Sequence, residues 1–136
     1  MQYDEFIKLV QERAKLDSRE DAERLIGITM VTLAEPMSRE ETNRLASQLP
    51  VQIKRLLEGH HEEPIPAKQT MRSFEIEEFY NRVKGRLGVS YQQGVDQVRA
   101  VMTVVREAVT PGIIDSLLQD LPDGYESLFT REGQGR

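Results

Sequence analysis

One stretch of the chain, residues 90–109, constrains the fold more than any other. Its sequence is SYQQGVDQVRAVMTVVREAV, and its apolar residues recur at the three- and four-residue spacing of a helix. The apolar stripe is too wide for a helix that lies half in water, so other helices must cover most of its circumference. Ser90 and Gln93 form a capping-box pattern at its start, and Thr110-Pro111 ends it. The stretch therefore predicts a buried central helix in an all-α protein.

The other helices are predicted from the same spacing, from capping residues and from prolines. The predicted segments are residues 3–14, a helix capped by Asp17 that stops before Pro36, a helix opened by Ser38 with Glu41, a helix from Pro50 to Gly59, a helix capped by Ser73 that ends at Gly88, a helix capped by Thr110 and started by Pro111, and a short turn of helix that holds Tyr125. Together with the central helix they make eight helical segments in two sets of four.

The two halves of the sequence repeat each other. Helix caps, helix breaks and apolar positions recur at an offset of 73, and then at 72 after one residue is lost inside the second helix. The matches include Glu5-Phe6 with Glu78-Phe79, Asp17 with Ser90, and Leu49-Pro50 with Leu121-Pro122. We predict two tandem four-helix pseudo-repeats packed into one helical domain. The repeats are residues 1–59 and 74–130, with a linker at 60–73 and a disordered tail at 131–136.

A glycine in the second helix suggests where the two longest helices cross. Gly27 lies inside this helix, where glycine costs about 1 kcal/mol relative to alanine. At the offset of 73 its partner is Ala100, inside the central helix. Small residues in the middle of both helices would let the two backbones approach closely. The sequence predicts a crossing near Gly27 and Ala100, and the alternative is an exposed glycine without a packing role.

Several segments of the chain resemble one known protein family. They are Tyr3-Asp4-Glu5-Phe6, Asp21-Ala22-Glu23-Arg24, Ser38-Arg39-Glu40-Glu41, Leu49-Pro50 and, most specific of all, the closing LPDGYESLF at 121–129. The chain resembles the family known as domain of unknown function 2267, whose members are bacterial helical proteins, often with the unit in tandem. The resemblance covers nearly the whole chain and implies an all-helical tandem fold. It implies no activity, and it assigns no site residues.

Composition argues against several classes of protein. The absence of cysteine excludes disulfide scaffolds, thiolate zinc sites and cysteine nucleophiles, and it fits a reducing cytoplasm. The net charge is −5 with a pI of about 5.1, and lysine and arginine are spread singly, so nucleic acid should be repelled. The first residues show no signal-peptide pattern, and no apolar run is long enough to span a membrane. We expect a cytoplasmic protein that binds no nucleic acid.

The predicted linker holds the residues with the most obvious alternative roles. His60 and His61 are the only histidines of the chain and its weak candidates for a metal site. Glu58 and His61 have the Glu-x-x-His spacing of di-iron bundles, but the second such pair that these sites need is absent. A solvated loop is the simpler interpretation. Pro64 and Pro66 suit an extended spacer better than a partner-binding motif.

The remaining polar residues give no sign of a catalytic centre. A serine or threonine nucleophile needs a base and a group that orients it, and the prominent hydroxyls already serve as helix caps. Acids near helix ends suit surface roles and interactions with the helix dipole better than a catalytic pair. These acids are Asp115, Asp120 and Asp123. The sequence therefore predicts no catalytic residue, no metal and no cofactor.

The closing segment offers a candidate binding surface. Leu121, Tyr125, Leu128 and Phe129 would form an apolar flap on the second repeat. One interpretation is that the flap closes the hydrophobic core. The other is a ligand or partner surface, with the Tyr125 hydroxyl as its polar group.

The leading hypothesis for function rests mostly on what the sequence lacks. We predict a non-catalytic protein-interaction or scaffold module that binds a protein partner or associates with itself. The alternative is a protein that binds a small apolar molecule between the repeats, where Met30 and Met102 would line an adaptable cavity. A bundle enzyme is the third hypothesis.

Overall fold

The computed structural model describes residues 1–59 and 75–129, and within these residues the chain is all-helical. The elements are α1 (Tyr3–Arg13), α2 (Arg19–Ala34), α3 (Arg39–Ala46), α4 (Val51–Gly59), α5 (Ile76–Leu87), α6 (Tyr91–Ala108), α7 (Pro111–Asp120) and a closing 3₁₀ helix (Tyr125–Phe129). The all-α prediction is confirmed, and the predicted helices occur in the predicted order. The predicted linker and tail lie outside the described residues, and so do Phe74 and Thr130, the first and last residues of the predicted second repeat.

The central helix of the sequence analysis is α6, and it is buried as predicted. Its valines, Met102, Gly94, Ala100 and Thr103 all lie in the interior. The helices α1, α2 and α5 and the closing 3₁₀ helix pack against it. The buried apolar side chains of both halves form one continuous core. A wide apolar stripe thus predicted not only the helix but also its position among the others.

The caps at Ser38 and Ser90 are those that the sequence predicts. At Ser38 the backbone N–H donates to Glu41 Oε1 at 2.7 Å, while the Glu41 N–H donates to the Ser38 hydroxyl at 3.1 Å. Ser90 and Gln93 exchange the same two hydrogen bonds. Each box satisfies two backbone donors that the first turn of a helix would otherwise leave without a partner.

The predicted cap at Asp17 is wrong, because α2 begins one residue later. Its cap is Ser18, whose hydroxyl accepts a hydrogen bond from the Asp21 N–H at 3.1 Å. Both acids and hydroxyls can cap, and Asp17-x-x-Glu20 and Ser18-x-x-Asp21 fit the pattern equally well. The conformation of the preceding turn decides between them, and the sequence pattern does not show it.

Two further caps differ from the prediction. Thr110 stands at the capping position of α7, but its side chain makes no capping hydrogen bond. The Thr110 N–H instead donates to Gln48 Oε1 at 2.6 Å, which links the two halves of the chain. Helix α5 begins at Ile76 after Glu75, and Ser73, predicted as its cap, lies outside the described residues.

The turn between the first two helices of each half fixes how the halves align. Lys15 and Gly88 both have left-handed backbones, with φ of 57° and 74°, and they are 73 positions apart. The caps that follow, Ser18 and Ser90, are 72 positions apart. The extra residue therefore lies in the turn. The prediction had placed it inside the second helix. A residue inserted within a helix would rotate all later side chains by about 100°. Buried residues accordingly match at 72: Ile26 with Val98, Met30 with Met102 and Leu33 with Val105.

This alignment also corrects the prediction for Gly27. At an offset of 72 its counterpart is Arg99, not the buried Ala100. Helices α2 and α6 do contact each other, but a Cβ added at Gly27 would meet no atom within 4 Å. The close approach occurs instead between α5 and α6, where a Cβ at Gly94 would lie 3.0 Å from the Lys84 Cβ.

Some contacts between elements correspond in the two halves of the chain. Within the halves, α1 packs on α2 as α5 packs on α6, and α4 packs on α2 as the 3₁₀ helix packs on α6. Across the halves, α1 packs on α6 and α2 packs on α5. Further contacts across the halves join α2 to α6 and α3 to α7, which hold corresponding places.

Candidate functional site

The closing segment is part of the core. Tyr125 and Leu128 are fully buried, and Leu121 and Phe129 are nearly so. The Tyr125 ring packs against Phe79 with the ring centres 6.1 Å apart, and burial raises the pKa of its hydroxyl. A partner surface made of these four side chains would need them exposed, so the structure favours the core-closing interpretation instead.

No metal centre is found among the described residues. His60 and His61 lie outside them, so the histidine candidates are not placed. Within residues 1–59 and 75–129, no group of three or more histidine, aspartate or glutamate side chains could hold a metal ion.

The nearest approach to a reactive carboxyl pair joins α3 to α7. Glu41 is only 4% exposed, and burial raises its pKa, against the opposing effect of its hydrogen bonds to Ser38. A hydrogen bond to the Asp120 side chain raises it further. Because Glu41 is also half of a capping box, its carboxyl group is committed to the start of α3. We interpret the pair as structural.

A groove of about 670 Å³ lies between the end of α1 and one face of α6. This volume is within the range of about 300–1,000 Å³ that is typical of ligand sites. The groove joins the two halves of the chain, because α1 belongs to the first half and α6 to the second. Its lining residues are Arg13, Ala14, Lys15, Gln93, Asp96, Gln97, Arg99, Ala100 and Thr103.

The last turn of α1 forms one wall of the groove. The Lys15 N–H donates to Glu12 O at 3.3 Å and the Leu16 N–H to Gln11 O at 3.0 Å, so the chain turns sharply away at this point. Lys15 makes this turn with a left-handed backbone, which is unfavourable for any residue except glycine. Its side chain is exposed and stands at the groove.

Arg13 ties this wall to α6. Its guanidinium group donates to Glu107 at 2.7 and 2.8 Å, and to the Thr103 hydroxyl at 3.4 Å. The two-pronged contact with a carboxylate is the strongest form of ion pair that arginine makes. Arg13 therefore links α1 to α6 beside the groove.

The other two cations of the groove have no carboxylate partner among residues 1–59 and 75–129. Arg99 donates from Nε to the Ser127 carbonyl at 3.1 Å, and no ion pair engages the other end of its guanidinium group. Lys15 makes no side-chain hydrogen bond or ion pair within this part of the chain. Asp96 is the single acid in the lining, against three cations, of which Arg13 is already neutralised by Glu107. Lys15, Arg99 and Asp96 therefore leave the lining with a net charge of +1. The whole chain carries −5, so this surface has the opposite sign to the protein as a whole.

The corresponding surface of the first half is closed by a side chain. There Arg24 of α2 donates to the carbonyls of Arg86 at 3.1 Å and Leu87 at 3.5 Å, at the end of α5. At the offset of 72 the counterpart of Arg24 is Asp96, which has no donor to offer to the end of α1. The groove is therefore found where the halves differ.

The sequence analysis missed Lys15, Arg99 and the groove. One signal was available, because Lys15 occupies the position of Gly88, which was predicted to end α5. A lysine aligned with a helix-ending glycine indicates that a charged side chain is held at a position that favours glycine. The spatial meeting of α1 with α6 depends on tertiary packing, which periodicity does not give.

Comparison with known families decides the relationship of the chain. Residues 3–128 match the model of the family described as an uncharacterized conserved protein family, DUF2267. The chain belongs to this family. The resemblance inferred from LPDGYESLF and the other segments is thus confirmed. The family is described as uncharacterized, so membership assigns no activity. No curated protein matches the chain. None of the helices in the described part of the chain is long and apolar enough to cross a membrane.

Proposed function

We propose that this chain is a non-catalytic protein-interaction module, and that the groove between α1 and α6 receives its partner. The observation that carries the proposal is the charge of the groove, where Lys15 and Arg99 lack carboxylate partners among the described residues. Cations that no internal acid neutralises are available to a ligand of opposite charge. The proposal keeps the leading hypothesis of the sequence analysis and moves its surface from the closing segment to the groove.

The packing of the core also supports this choice over a small apolar ligand. Met30 and Met102, which would have lined a cavity between α2 and α6, are fully buried in the continuous core. A ligand between these helices would have to displace that packing, and interiors of native density resist such displacement. A bundle enzyme of the di-iron type has still less support, because the described residues hold no group of three or more histidine, aspartate or glutamate side chains that could bind a metal ion.

The proposal is tested by crosslinking from inside the groove. A photo-crosslinking amino acid replaces Gln97, which lines the groove, and in a matched variant it replaces Gln52, which is exposed on α4. Both variants are expressed in the cells from which the gene comes and are irradiated there. We expect one discrete protein to be captured at position 97 only, and its purified form to bind the unmodified chain.

Equal capture at both positions, or none at position 97, would contradict the proposal. Native mass spectrometry of the purified chain provides the companion measurement. A bound mass of a few hundred daltons that survives gentle purification would favour the small-ligand hypothesis instead.

A further inference from the structure

We infer that the groove recognises carboxylate side chains of an acidic segment in a partner protein, through Lys15 and Arg99. The inference rests on the proposed function and names the chemistry of the partner. Arg99 supplies a planar guanidinium group suited to a carboxylate, and Lys15 supplies a mobile point charge at the opposite wall. Together they can hold two acidic side chains of one segment.

First, the two cations of the groove stand at positions where the halves of the chain differ. In the alignment fixed by the turns, Lys15 corresponds to Gly88, and Arg99 corresponds to Gly27. Both cations of the groove therefore stand where the other half has glycine. At position 15 the cation is held in a left-handed backbone, which is unfavourable for lysine and not for glycine. A structural role does not require a lysine here, since the second half reaches the same left-handed backbone with glycine.

The second argument comes from the uncharged lining. Gln97 makes no side-chain hydrogen bond within residues 1–59 and 75–129, and the amide nitrogen of Gln93 is not used by its capping box. An amide side chain both donates and accepts hydrogen bonds, as does a peptide backbone. Two glutamines between two cations therefore suit a chain of amino acids with acidic side chains.

The third argument favours carboxylates over phosphates. The groove lies at the C-terminal end of α1, where the partial negative charge of the helix opposes a dense anion. Asp96 and the overall charge of −5 also repel a dense anion. Two carboxylates of one segment spread their charge over both walls of the groove, whereas a phosphate group concentrates about the same charge at one point, so the segment loses less to this repulsion.

The test measures binding of labelled peptides by fluorescence anisotropy at low salt. The probes are a hexaglutamate peptide and a hexaglutamine peptide with the same label. We expect the wild-type chain to bind hexaglutamate and not hexaglutamine, with affinity that falls as salt is added. Lys15→Gln and Arg99→Gln should each weaken binding about tenfold or more, as expected for a lost charge-assisted hydrogen bond.

Matched controls separate this site from general attraction to the surface. Lys54→Gln and Arg55→Gln remove the same charge from exposed positions on α4, and they should change the affinity less than about twofold. Because Arg99 also bonds the Ser127 carbonyl, melting curves check that its variant is folded, while Lys15→Gln disturbs no contact among the described residues.

Three outcomes would overturn the inference: equal losses in the α4 controls, equal binding of hexaglutamine, or complete displacement of the peptide by free glutamate at matched total charge. The last would identify a small-anion site, and peptide binding that appears only with dimer formation would point to a second copy of the chain. If crosslinking from position 97 captures a partner while hexaglutamate does not bind, the proposed function stands and only the carboxylate assignment fails.

Discussion

At the scale of single residues, two corresponding left-handed positions carry different side chains. Lys15 and Gly88 both have left-handed backbones, and a Cβ at Gly88 would meet no atom within 4 Å. The change in stability on exchanging lysine and glycine at these positions should therefore depend on the backbone conformation alone. We expect Lys15→Gly to raise the free energy of unfolding by about 1 kcal/mol and Gly88→Lys to lower it by a similar amount. Urea denaturation measures both, and a loss of stability in Lys15→Gly would contradict the account.

If Lys15→Gly gains stability and loses hexaglutamate binding together, the strain at this residue is retained for function. A gain in stability with unchanged binding would mean that peptide binding does not explain the lysine at this left-handed position. The two measurements on one variant thus separate the role of the backbone from the role of the side chain.

Two interior glycines should respond to alanine in opposite directions. A Cβ at Gly27 meets no atom within 4 Å, so Gly27→Ala should gain up to about 1 kcal/mol from helix propensity. A Cβ at Gly94 would lie 3.0 Å from the Lys84 Cβ and 3.4 Å from its Cα, so Gly94→Ala should lose about 1–3 kcal/mol by separating α5 from α6. Thermal melting gives both signs. Destabilisation by Gly27→Ala would instead support the predicted close crossing of α2 and α6 near Gly27.

Glu41 should make stability depend on pH. Burial raises its folded pKa above the value of 4.5 for an unperturbed glutamate, so the folded chain keeps this proton to a higher pH than the unfolded chain does. The contribution of the group to stability is therefore full below the unfolded pKa and is lost as pH rises through the folded pKa. Glu41→Gln stays neutral and keeps an oxygen for the Ser38 N–H, so the fall of stability with rising pH should flatten.

Urea denaturation at a series of pH values from 4 to 7 measures this effect. Glu40→Gln, an exposed change in the same first turn, is the control and should leave the pH profile as it is in the wild type. The account fails if Glu41→Gln and the wild-type chain have parallel profiles.

At the scale of elements, two equivalent ion pairs join the halves with unequal strength. Glu35 at the end of α2 pairs with Arg82 at 2.7 Å and Arg86 at 2.5 Å, and its side chain is 12% exposed. Glu107 in the last turn of α6 pairs with Arg13 and is 43% exposed. Since exposure weakens an ion pair, Glu35→Gln should cost about 1–2 kcal/mol and Glu107→Gln about 0.5 kcal/mol.

Denaturation in low and high salt distinguishes these pairs from other contacts. The difference between the two variants should shrink as salt is added, because screening acts on the charges alone. Equal costs for the two substitutions would mean that burial does not set the strength of these pairs.

The helices themselves could largely be predicted from the sequence, because the information is local. The capping boxes at Ser38 and Ser90 and the proline that starts α7 depend on residues within one turn. The start of α2 could not be predicted, since Asp17 and Ser18 are both good caps and the left-handed turn at Lys15 selects the second. The local pattern gives the choices, and the geometry of the preceding turn decides.

The candidate site was less predictable than the fold because its parts are distant in the sequence. Lys15 and Arg99 are 84 positions apart and meet only because α1 packs on α6. The role of the closing segment could not be predicted for a related reason. Its Tyr125, Leu128 and Phe129 are apolar at helical spacing whether they close a core or form a surface, and only packing against α5 and α6 distinguishes these roles.

At the scale of the whole molecule, the contacts between halves use the longest helices. Helix α2 packs on α5 and α6, and α1 packs on α6, so each half covers part of the buried face of the other. A segment of about 60 residues buries a smaller share of its surface than a chain of 136 does, and it depends more on such contacts. The two halves should therefore stabilise each other and should unfold together.

Separate halves test this expectation directly. Peptides of residues 1–59 and 75–129 should each show weak circular dichroism at 222 nm and no cooperative melt, because each exposes the apolar faces that the other covers. Mixed in equal amounts, they should regain helicity with a melt whose midpoint rises with concentration, as mass action requires of two chains that fold on binding. The intact chain should unfold in one transition, with equal calorimetric and van't Hoff enthalpies. A cooperative melt of residues 1–59 alone would show instead that one half is an independent domain, and the groove between α1 and α6 would then lie at a joint between two domains.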